Sequence, residues 1–399
     1  MHFLSDITRY AYSPDELRKC FRPADLWDYG LTKKELVARI QDFSNAFLSS
    51  NCAIGSLKAV ELGDNKLFCP ANVQDALCLR RTNHIIKKAL RTPILNRDDE
   101  VKQLLQVLSG ETKCRIFRTD IKSYFETVPF AEIIARLEND GLRNNCALAH
   151  LKNLNSLLIK NHSCSGLPRG LALSSTLADY ALQKFDRDIF NCDSVVYYTR
   201  YVDDICIVHF DDAQAIQSLV EKDLPFNLKL NLAKTQKLEL PSPGSLEFLG
   251  YRILLNHPLS VSIADGKIGK AKKRIVLSLK EFLRDKDFDL LFSRLRFLSC
   301  STRMKKVGRK RPVLIGYRHV YRLCNEDAIS KQLKNLDAFL HGIVNSKRFL
   351  LGRSLQGLLT AQQKDQLRTL SFEKHYASHL TFTVKPKQIS AIKGAWRYE

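Results

Sequence analysis

Residues 197–208 read YYTRYVDDICIV, and this stretch decides how the rest of the chain is interpreted. Eight of the twelve residues are apolar or aromatic, as in a buried strand, yet Asp203 and Asp204 stand side by side near the centre. Buried carboxylates without partners are costly, so they take up a proton or find a cation. The pattern predicts two strands over 195–210, joined by a tight turn that contains the two acids.

A third acid joins this pair from an earlier strand. The run KCRIFRTDIKSYF (113–125) is strand-like, with Asp120 near the end of its apolar part. Taken singly, paired aspartates favour ordinary turns and Asp120 suits a helix cap. Together, three carboxylates at one sheet surface are a ligand set for two metal ions about 3.5–4 Å apart. Hard oxygen ligands suit Mg²⁺ rather than zinc, with Mn²⁺ as a substitute.

Composition narrows the class of protein. The 399 residues are 45% hydrophobic, which suits two or three globular domains or one multi-lobed domain. No run of about 18 apolar residues occurs, so a membrane span is not expected. The opening MHFLSDITRYAY lacks a basic region followed by an apolar core, so a secretory leader is not expected either. Eleven cysteines without a CxxC pair indicate reduced thiols in a cytoplasmic protein. The net charge of +21 favours a polyanionic partner, most simply nucleic acid.

Helical and strand-like segments alternate along the chain, which predicts an α+β fold with helices against one face of a sheet. Acids fall at strand ends or turns. A composition shift near residue 260 marks a candidate domain boundary. The expected helices are most of 1–60, 97–109, 130–160, 175–190 and much of the chain after 267, and the further short strands are 230–240 and 246–255.

Five motifs carry a resemblance to a known family. The runs FRTDIKSYFETV (117–128), SGLPRGLALSSTLADYAL (165–182), YYTRYVDDICIV, LNLAKTQ (230–236) and EFLGYRI (247–253) resemble the ordered palm motifs of reverse transcriptases. The runs RTDIKSYFE and GLPRG are most similar to bacterial enzymes associated with phage defence and abortive infection. The resemblance covers roughly residues 95–255. It implies a right-hand polymerase fold of fingers, palm sheet and helical thumb, followed by a helical C-terminal extension.

The resemblance assigns catalytic and metal-binding roles by position. Asp120 and Asp203 resemble the two direct metal ligands, helped by the backbone carbonyl of Ile121, and Asp204 resembles the third acid. Lys234 resembles the lysine that protonates the diphosphate leaving group, although a solvated lysine at a strand end is the plain alternative.

The resemblance also implies a nucleotide pocket and a primer grip. Phe125 resembles the steric gate against a ribose 2′-hydroxyl, with ordinary core packing as its alternative. Arg97 is a candidate for the triphosphate, although the run RDDE equally suits local ion pairing. The remaining implied contacts are Tyr124 beneath the sugar, the template and base loop at Gly166, Pro168, Arg169 and Gly170, and the primer grip at Leu249, Gly250 and Tyr251.

Two departures bear on template handling. The family loop usually reads Pro-Gln-Gly, but here Arg169 stands between Pro168 and Gly170, and Ser174-Ser175 replaces the common Ser-Pro. A guanidinium at this position offers a phosphate or stacking contact.

A basic stretch follows the motifs. Residues 267–322 hold 18 Lys and Arg against 4 Asp and Glu, which contributes 18 − 4 = +14 to the net charge. A solvated face is the plain interpretation, whereas its place after the palm favours a thumb that grips duplex or structured RNA. The expected contacts are Lys267, Lys270, Lys272, Lys273, Arg274, Lys305, Lys306, Arg309, Lys310 and Arg311.

These patterns predict four segments: an N-terminal helical part with fingers (1–115), a palm (116–255) with finger helices inserted at 130–165, a basic thumb (256–345) and an extension (346–399). The expected function is Mg²⁺-dependent DNA synthesis from dNTPs, RNA-templated or untemplated, in antiphage defence with a noncoding RNA. Two alternatives stay open, an RNA-dependent RNA polymerase and an idle fold that only binds RNA. A homo-oligomer or a partner protein also stays open.

Overall fold

A computed structural model describes residues 11–22, 24–48, 54–62, 65–91, 96–110, 112–304, 312–384 and 386–396. The chain divides into two compact bodies, Met1–Leu95 with Arg115–Lys237 and Asn96–Cys114 with Leu238–Glu399. The chain therefore crosses between bodies before the composition shift near 260, and the helix Arg97–Leu108 belongs to the second body. The four-segment division made from the sequence stays a prediction.

The first body is mainly helical. Its described helices are Pro14–Cys20, Ala24–Asp28, Lys33–Leu48, Val73–Leu90, Tyr124–Thr127, Phe130–Asn139, Asn145–His162, Ala172–Ala181, Gln183–Phe190 and Ala213–Asp223. The continuous helix expected over 175–190 is broken at Leu182, which is fully buried and leaves the helical region. Arg136 donates to the Ala181 carbonyl at 3.1 Å and so satisfies it outside a helix.

A central sheet organises this body. It contains β3 (Cys114–Asp120), β4 (Val195–Tyr201) and β5 (Asp204–His209), in the order β4-β5-β3, all antiparallel. β6 (Gln236–Leu240) continues the order at the β3 edge, and the first body ends within it. The expected strands over 195–210 and the strand ending at Asp120 are confirmed. The hairpin of β1 (Leu57–Leu62) and β2 (Asn65–Pro70) was not expected.

β5 places the acids at the start of a buried strand. Residues 205–208 are all fully buried, so the strand packs apolar side chains on both faces. Such a strand reads as a continuous apolar run rather than as an alternating one. Because Asp204 is its first residue, the carboxylates stand where this apolar strand meets the turn.

The second body combines helices with two small sheets. β7 (Ser245–Phe248), β8 (Tyr251–Leu254) and β9 (Ser260–Ile263) form one, and β10 (Ser301–Met304), β11 (Val313–Ile315) and β12 (Thr381–Thr383) form the other. The second sheet was not expected. The helices are Arg97–Leu108, Asp265–Asp285, Phe288–Ser299, Tyr317–Val320, Glu326–Asn345, Leu350–Leu358, Ala361–Thr369, Phe372–Ala377 and Pro386–Gly394.

The apolar stripes of the C-terminal helices pack within the second body. Ile329, Leu333, Leu336 and Leu340 of one helix are completely buried there. Burying each such side chain contributes roughly 1.5–3 kcal/mol. Among the described helices, none has the length and apolar character needed to span a bilayer.

Candidate active site

The turn between β4 and β5 presents the first acid. Only Val202 and Asp203 lie between the two strands. Val202 has a φ of 63°, which is uncommon for a β-branched residue. Two hydrogen bonds hold the turn in this conformation: Arg200 donates to the Val202 carbonyl at 2.7 Å, and the Ile121 amide donates to the Asp203 carbonyl at 3.0 Å.

Arg200 is itself held in place by an ion pair. Its guanidinium makes a two-pronged ion pair with Asp186, at 2.7 and 2.6 Å, and is buried from solvent. Such fork-shaped pairs are geometrically specific. Sequence reasoning missed this support, although the position of Arg200 three residues before Asp203 was a usable signal.

Asp120 pairs directly with Asp204 across β3 and β5, so the acids from the two motifs meet at one end of the sheet. One oxygen of Asp120 accepts from the Lys234 ammonium at 2.6 Å. The other, Oδ1, is buried and has no hydrogen-bond partner among the described residues. A buried carboxylate oxygen without a partner needs an explanation, and a missing cation supplies one. Lys234 keeps 60% of its side chain exposed.

Asp204 has a different partner. Arg118 donates from Nε to Asp204 Oδ1 at 2.9 Å, and both side chains are largely buried. The same guanidinium donates to the Lys234 carbonyl at 3.0 Å. Sequence reasoning did not single out Arg118. The available signal was its position two residues before Asp120, which places both on one face of the strand.

Burial dominates the electrostatics of the pair. It raises the pKa of Asp203 above its usual range, and the negative charge of Asp120 adds to the rise, while Arg169 and Lys234 oppose it. Burial also raises the pKa of Asp204, against the opposing charge of Arg118. These acids therefore gain from a cation that compensates their charge.

The three acids do not form a ready-made metal cage. Across the described ranges, no three side chains of the His, Cys, Asp and Glu types converge closely enough to hold an ion alone. Asp204 accepts from Arg118 and Asp120 accepts from Lys234, and the metal set of three carboxylates stays a prediction. Asp120 and Asp203 nevertheless offer the hard oxygen donors that Mg²⁺ prefers.

The Gly-Pro loop is anchored beside these acids in the first body. The Leu167 amide donates to the Phe125 carbonyl at 2.7 Å, and the Phe68 amide of β2 donates to the Arg169 carbonyl at 2.7 Å. A side chain at Gly166 would collide with the backbone of Phe125 and Glu126. Gly170 has a φ of 101° and touches the backbone of Phe68, so it too requires glycine.

Arg169 connects this loop to the proposed gate. Its guanidinium pairs with Glu126 through two hydrogen bonds, at 2.8 and 3.0 Å, and lies 5.1 Å from the centre of the Phe125 ring. Phe125 is half-buried, with its inner side against the core. Tyr124 is buried completely and its hydroxyl donates to the Ala178 carbonyl. The Tyr124 side chain therefore belongs to the core, and its place beneath a bound sugar stays a prediction.

The site lies in a segment that matches a known protein family. The family model for reverse transcriptase (RNA-dependent DNA polymerase) matches residues 75–253. This segment includes the strands β3 and β5 that carry the acids, the Gly-Pro loop and Lys234. The segment 75–253 is therefore similar to reverse transcriptases. No curated protein matches the chain by sequence.

Solved structures give a weaker likeness. Apo telomerase from Candida tropicalis is 12% identical, with a TM-score of 0.40, over 86% of this chain and 66% of that chain. Telomerase from Candida albicans in complex with a fragment of telomeric RNA is 12% identical, with a TM-score of 0.35, over 80% of this chain and 56% of that chain. Across such matches this chain spans about half to two thirds of the telomerase chains.

The matched segment 75–253 ends in the β7-β8 hairpin of the second body. Leu249 and Gly250 form its two-residue turn, both with positive φ, as hairpin turns of the favoured type require. Tyr251 is completely buried, and its hydroxyl donates to Asp98 at 3.1 Å. The hairpin is present where the primer grip was expected, and its contact with a primer stays a prediction.

Arg97 is held by several contacts within the second body. Its guanidinium pairs with Asp98 at 2.9 Å, donates to the Val320 carbonyl, and lies over the rings of Tyr251 and Tyr321. These contacts fit the local ion pairing considered from the sequence, and a contact between Arg97 and the triphosphate stays a prediction.

The basic helix Asp265–Asp285 displays part of the expected cationic surface. Lys267, Lys270 and Lys273 are exposed, whereas the other two cations lie over aromatic rings, Lys272 over Phe339 and Arg274 over Trp396. The remaining expected cations, at 305, 306 and 309–311, lie outside the described residues.

Proposed function

We propose that this protein is an Mg²⁺-dependent, RNA-directed DNA polymerase that uses dNTPs. The observation that carries the proposal is the pairing of Asp120 with Asp204 across β3 and β5, with Asp203 in the adjoining turn and Lys234 on Asp120. Two carboxylates and a lysine ammonium at the end of a sheet suit phosphoryl transfer, which depends on positioning and charge stabilisation.

Asp120 and Asp203 are the residues that would hold the divalent ions. When bound, such ions activate the attacking oxygen and stabilise the leaving one. Lys234 holds its ammonium at Asp120 Oδ2, and most of its side chain is in solvent. That position suits a cation that neutralises and protonates a diphosphate leaving group. We also propose that the backbone carbonyl of Ile121 contributes a metal ligand, as the resemblance implies.

The pocket for the nucleotide would lie between the acids and the Gly-Pro loop. Phe125 presents the half of its ring that the core leaves uncovered, and Arg169 lies over that ring while Glu126 fixes its direction. An aromatic ring and a guanidinium together suit a flat sugar face and a nearby phosphate or base. A glutamine at position 169 could not make the two-pronged contact with Glu126.

The exposed cations of the basic helix suit a nucleic-acid backbone. Replacing Lys267, Lys270 and Lys273 together by alanine should weaken RNA binding and flatten its dependence on salt. Three lost phosphate contacts reduce the slope of log K against log salt by roughly 2–3, at about 0.7–0.9 per contact. The measurement is a salt titration of affinity by fluorescence anisotropy. The control replaces Lys33, Lys34 and Lys88 by alanine, which removes the same charge from another part of the chain. If both triple variants flatten the salt slope equally, the effect comes from net charge and the basic helix makes no specific contact.

Two rival functions make different predictions. An RNA-dependent RNA polymerase of this fold usually carries Asp at the position of Phe125 and GDD at the hairpin, whereas this chain has Phe125 and YVDD. An RNA-binding scaffold has no need of a lysine set on a buried aspartate. Incubation with labelled dNTPs or rNTPs, Mg²⁺ and a primed RNA template separates the three. An alkali-resistant product supports the proposal, an alkali-sensitive product the RNA polymerase, and RNA binding without product the scaffold.

We also propose a role in antiphage defence in the cytoplasm, with a noncoding RNA as template or scaffold. Support comes from the resemblance of RTDIKSYFE and GLPRG to bacterial defence enzymes. Phage plating on cells that express the wild type or Asp203→Asn tests this role. Equal plating on both, for a broad phage panel, would remove it without touching the polymerase proposal.

A further inference from the structure

The helix Leu350–Leu358 of the second body presents large apolar side chains to solvent. Phe349 directly precedes this helix and keeps 67% of its surface exposed, and Leu350 keeps 75%. Leu358, at the last residue of the helix, is also exposed. Single exposed apolar residues need no explanation, whereas neighbouring ones rimmed by polar groups mark interaction sites.

The packing beneath this helix explains why Phe349 faces outward. Leu355, on the inner side, is completely buried in the core of the second body. A side chain at Gly352 would collide with the Ser346 carbonyl, so the start of the helix lies tightly against the preceding segment. The Ser346 hydroxyl accepts from the amides of Arg348 and Phe349, at 3.1 Å each. These contacts hold the turn that displays the Phe349 ring.

Positive charge surrounds the exposed ring. Residues 338–364 contain no Asp or Glu. Three exposed cations lie within four residues of Phe349 in the sequence, Lys347, Arg348 and Arg353. Cations that no nearby acid neutralises attract a polyanion.

An exposed aromatic ring among cations suits single-stranded nucleic acid, because the cations meet phosphates while the ring stacks on a base. A duplex suits it less well, since the bases of a duplex are already stacked on one another. A membrane surface also suits it less well, because an interfacial helix buries its apolar face in lipid. Here the apolar side with Leu351 and Leu355 packs against the protein core.

A neighbouring helix carries the cationic surface that was expected from the sequence. The helix Leu350–Leu358 lies beside the basic helix Asp265–Asp285 and beside Glu326–Asn345. Lys272 of the basic helix lies over the ring of Phe339 in Glu326–Asn345. The two sets of cations therefore occur on neighbouring helices of one body.

We propose that Phe349, with Lys347, Arg348 and Arg353, forms a further nucleic-acid surface that binds single-stranded RNA, with the Phe349 ring stacked on a base. The chemistry of the surface suits single-stranded RNA and DNA alike. The choice of RNA rests on the proposed function, in which the template is RNA. This surface lies outside the matched segment 75–253 and acts in binding rather than in catalysis.

Affinity for a labelled single-stranded oligouridine, measured by fluorescence anisotropy on the full-length protein, tests the ring. Phe349→Ala should weaken binding roughly 5- to 150-fold, the range that stacking of one base on an aromatic ring contributes. Its salt slope should stay unchanged, because no phosphate contact is lost. Phe349→Trp keeps an aromatic ring and should bind as the wild type does. Phe190→Ala is the matched control, because Phe190 is equally exposed but stands between Asp188 and Asp193 in the sequence.

The salt dependence of the same affinity tests the cations. Replacing Lys347, Arg348 and Arg353 together by glutamine should flatten the slope by roughly 2, at about 0.7 per contact with a single strand. Melting temperatures should stay at the wild-type value, since these side chains are exposed. The control replaces three exposed cations of the first body by glutamine, Lys33, Lys34 and Lys88.

Four results would overturn the inference. The first is equal oligouridine binding by Phe349→Ala and Phe190→Ala, and the second is an equal fall in slope in the two triple variants. A larger loss of oligothymidine than of oligouridine binding in Phe349→Ala would assign the surface to DNA instead of RNA. Loss of binding to phosphatidylserine vesicles in Phe349→Ala, with oligouridine binding unchanged, would make it a membrane surface.

The proposed function can fail separately. If the wild type makes no DNA but the oligouridine pattern holds, the proposed function fails and the RNA surface stands. If the wild type makes DNA while Phe349→Ala binds oligouridine normally, only the further inference fails.

Discussion

Asp203→Asn should abolish DNA synthesis while leaving the protein folded. Asp203 stands in the two-residue turn between β4 and β5, beside the buried Asp120. Asparagine keeps the size of the side chain but removes the negative charge that a divalent ion requires. Loss of a direct ligand should cost at least about 100-fold in kcat, the upper end of what outer-shell losses cost. The measurement is incorporation of labelled dNTP at saturating Mg²⁺.

Asp211→Asn is the matched control, because it removes an exposed acid just beyond the other end of β5. It should leave synthesis near the wild-type rate. Wild-type synthesis by Asp203→Asn would contradict the assignment of this acid to the metal.

The same substitution should stabilise the metal-free protein at neutral pH. The pKa of Asp203 is raised in the folded state above its ordinary value of 3.8, mainly by burial. A carboxyl of this kind contributes stability below its ordinary pKa and loses it as pH rises through the folded pKa. In EDTA, the melting temperature of Asp203→Asn should therefore exceed that of the wild type at pH 7, and the difference should shrink towards pH 4. A difference that does not depend on pH would contradict this electrostatic account.

Phe125→Ala should let the enzyme use ribonucleotides. Phe125 lies five residues after Asp120, with its inner side in the core and the Arg169 guanidinium over its ring. A deoxyribose can pack flat on such a ring. A ribose must press a hydroxyl against it, and leaving that hydroxyl unsatisfied alone costs about 1–3 kcal/mol. Alanine opens space for the hydroxyl and for a water that satisfies it.

The measurement is the ratio of kcat/KM for matched rNTP and dNTP in both proteins. The ratio should rise by roughly 5- to 150-fold in Phe125→Ala, from the unsatisfied hydroxyl alone. Use of dNTP should fall modestly through lost packing. Phe125→Tyr keeps the ring and should keep the discrimination. If Phe125→Ala discriminates as well as the wild type, Phe125 belongs to the core, and Arg169, which lies over its ring, becomes the residue to test.

The sequence was sufficient for the framework of the site. The apolar run around the two acids predicts the hairpin, because residues 205–208 are apolar and all fully buried. The structure places Asp203 in the turn and Asp204 as the first residue of β5. The strand that ends at Asp120 follows from the same logic. Gly166 and Gly170 were expected in a loop, and the structure adds that each lies against backbone where a side chain does not fit.

Contacts between residues far apart in the sequence could not be predicted from it. Arg118 reaches Asp204 and Lys234 only because β3 lies between β5 and β6 in the sheet, an order that no local pattern reveals. The burial of Tyr124 and the contacts of Arg97 with Tyr251 and Val320 depend in the same way on tertiary packing. Glu126 was likewise passed over as a partner of Arg169, since the two lie 43 residues apart.

The most direct test of the central claim is the sequence of the product. The wild-type protein is incubated with Mg²⁺, four dNTPs and a primed RNA of mixed, defined sequence, and the nucleic acid made is sequenced. Synthesis at an RNA-directed site predicts DNA complementary to that RNA, absent when Asp203→Asn replaces the wild type. DNA unrelated to the template, or no DNA at all from a protein that still binds the RNA, would contradict it.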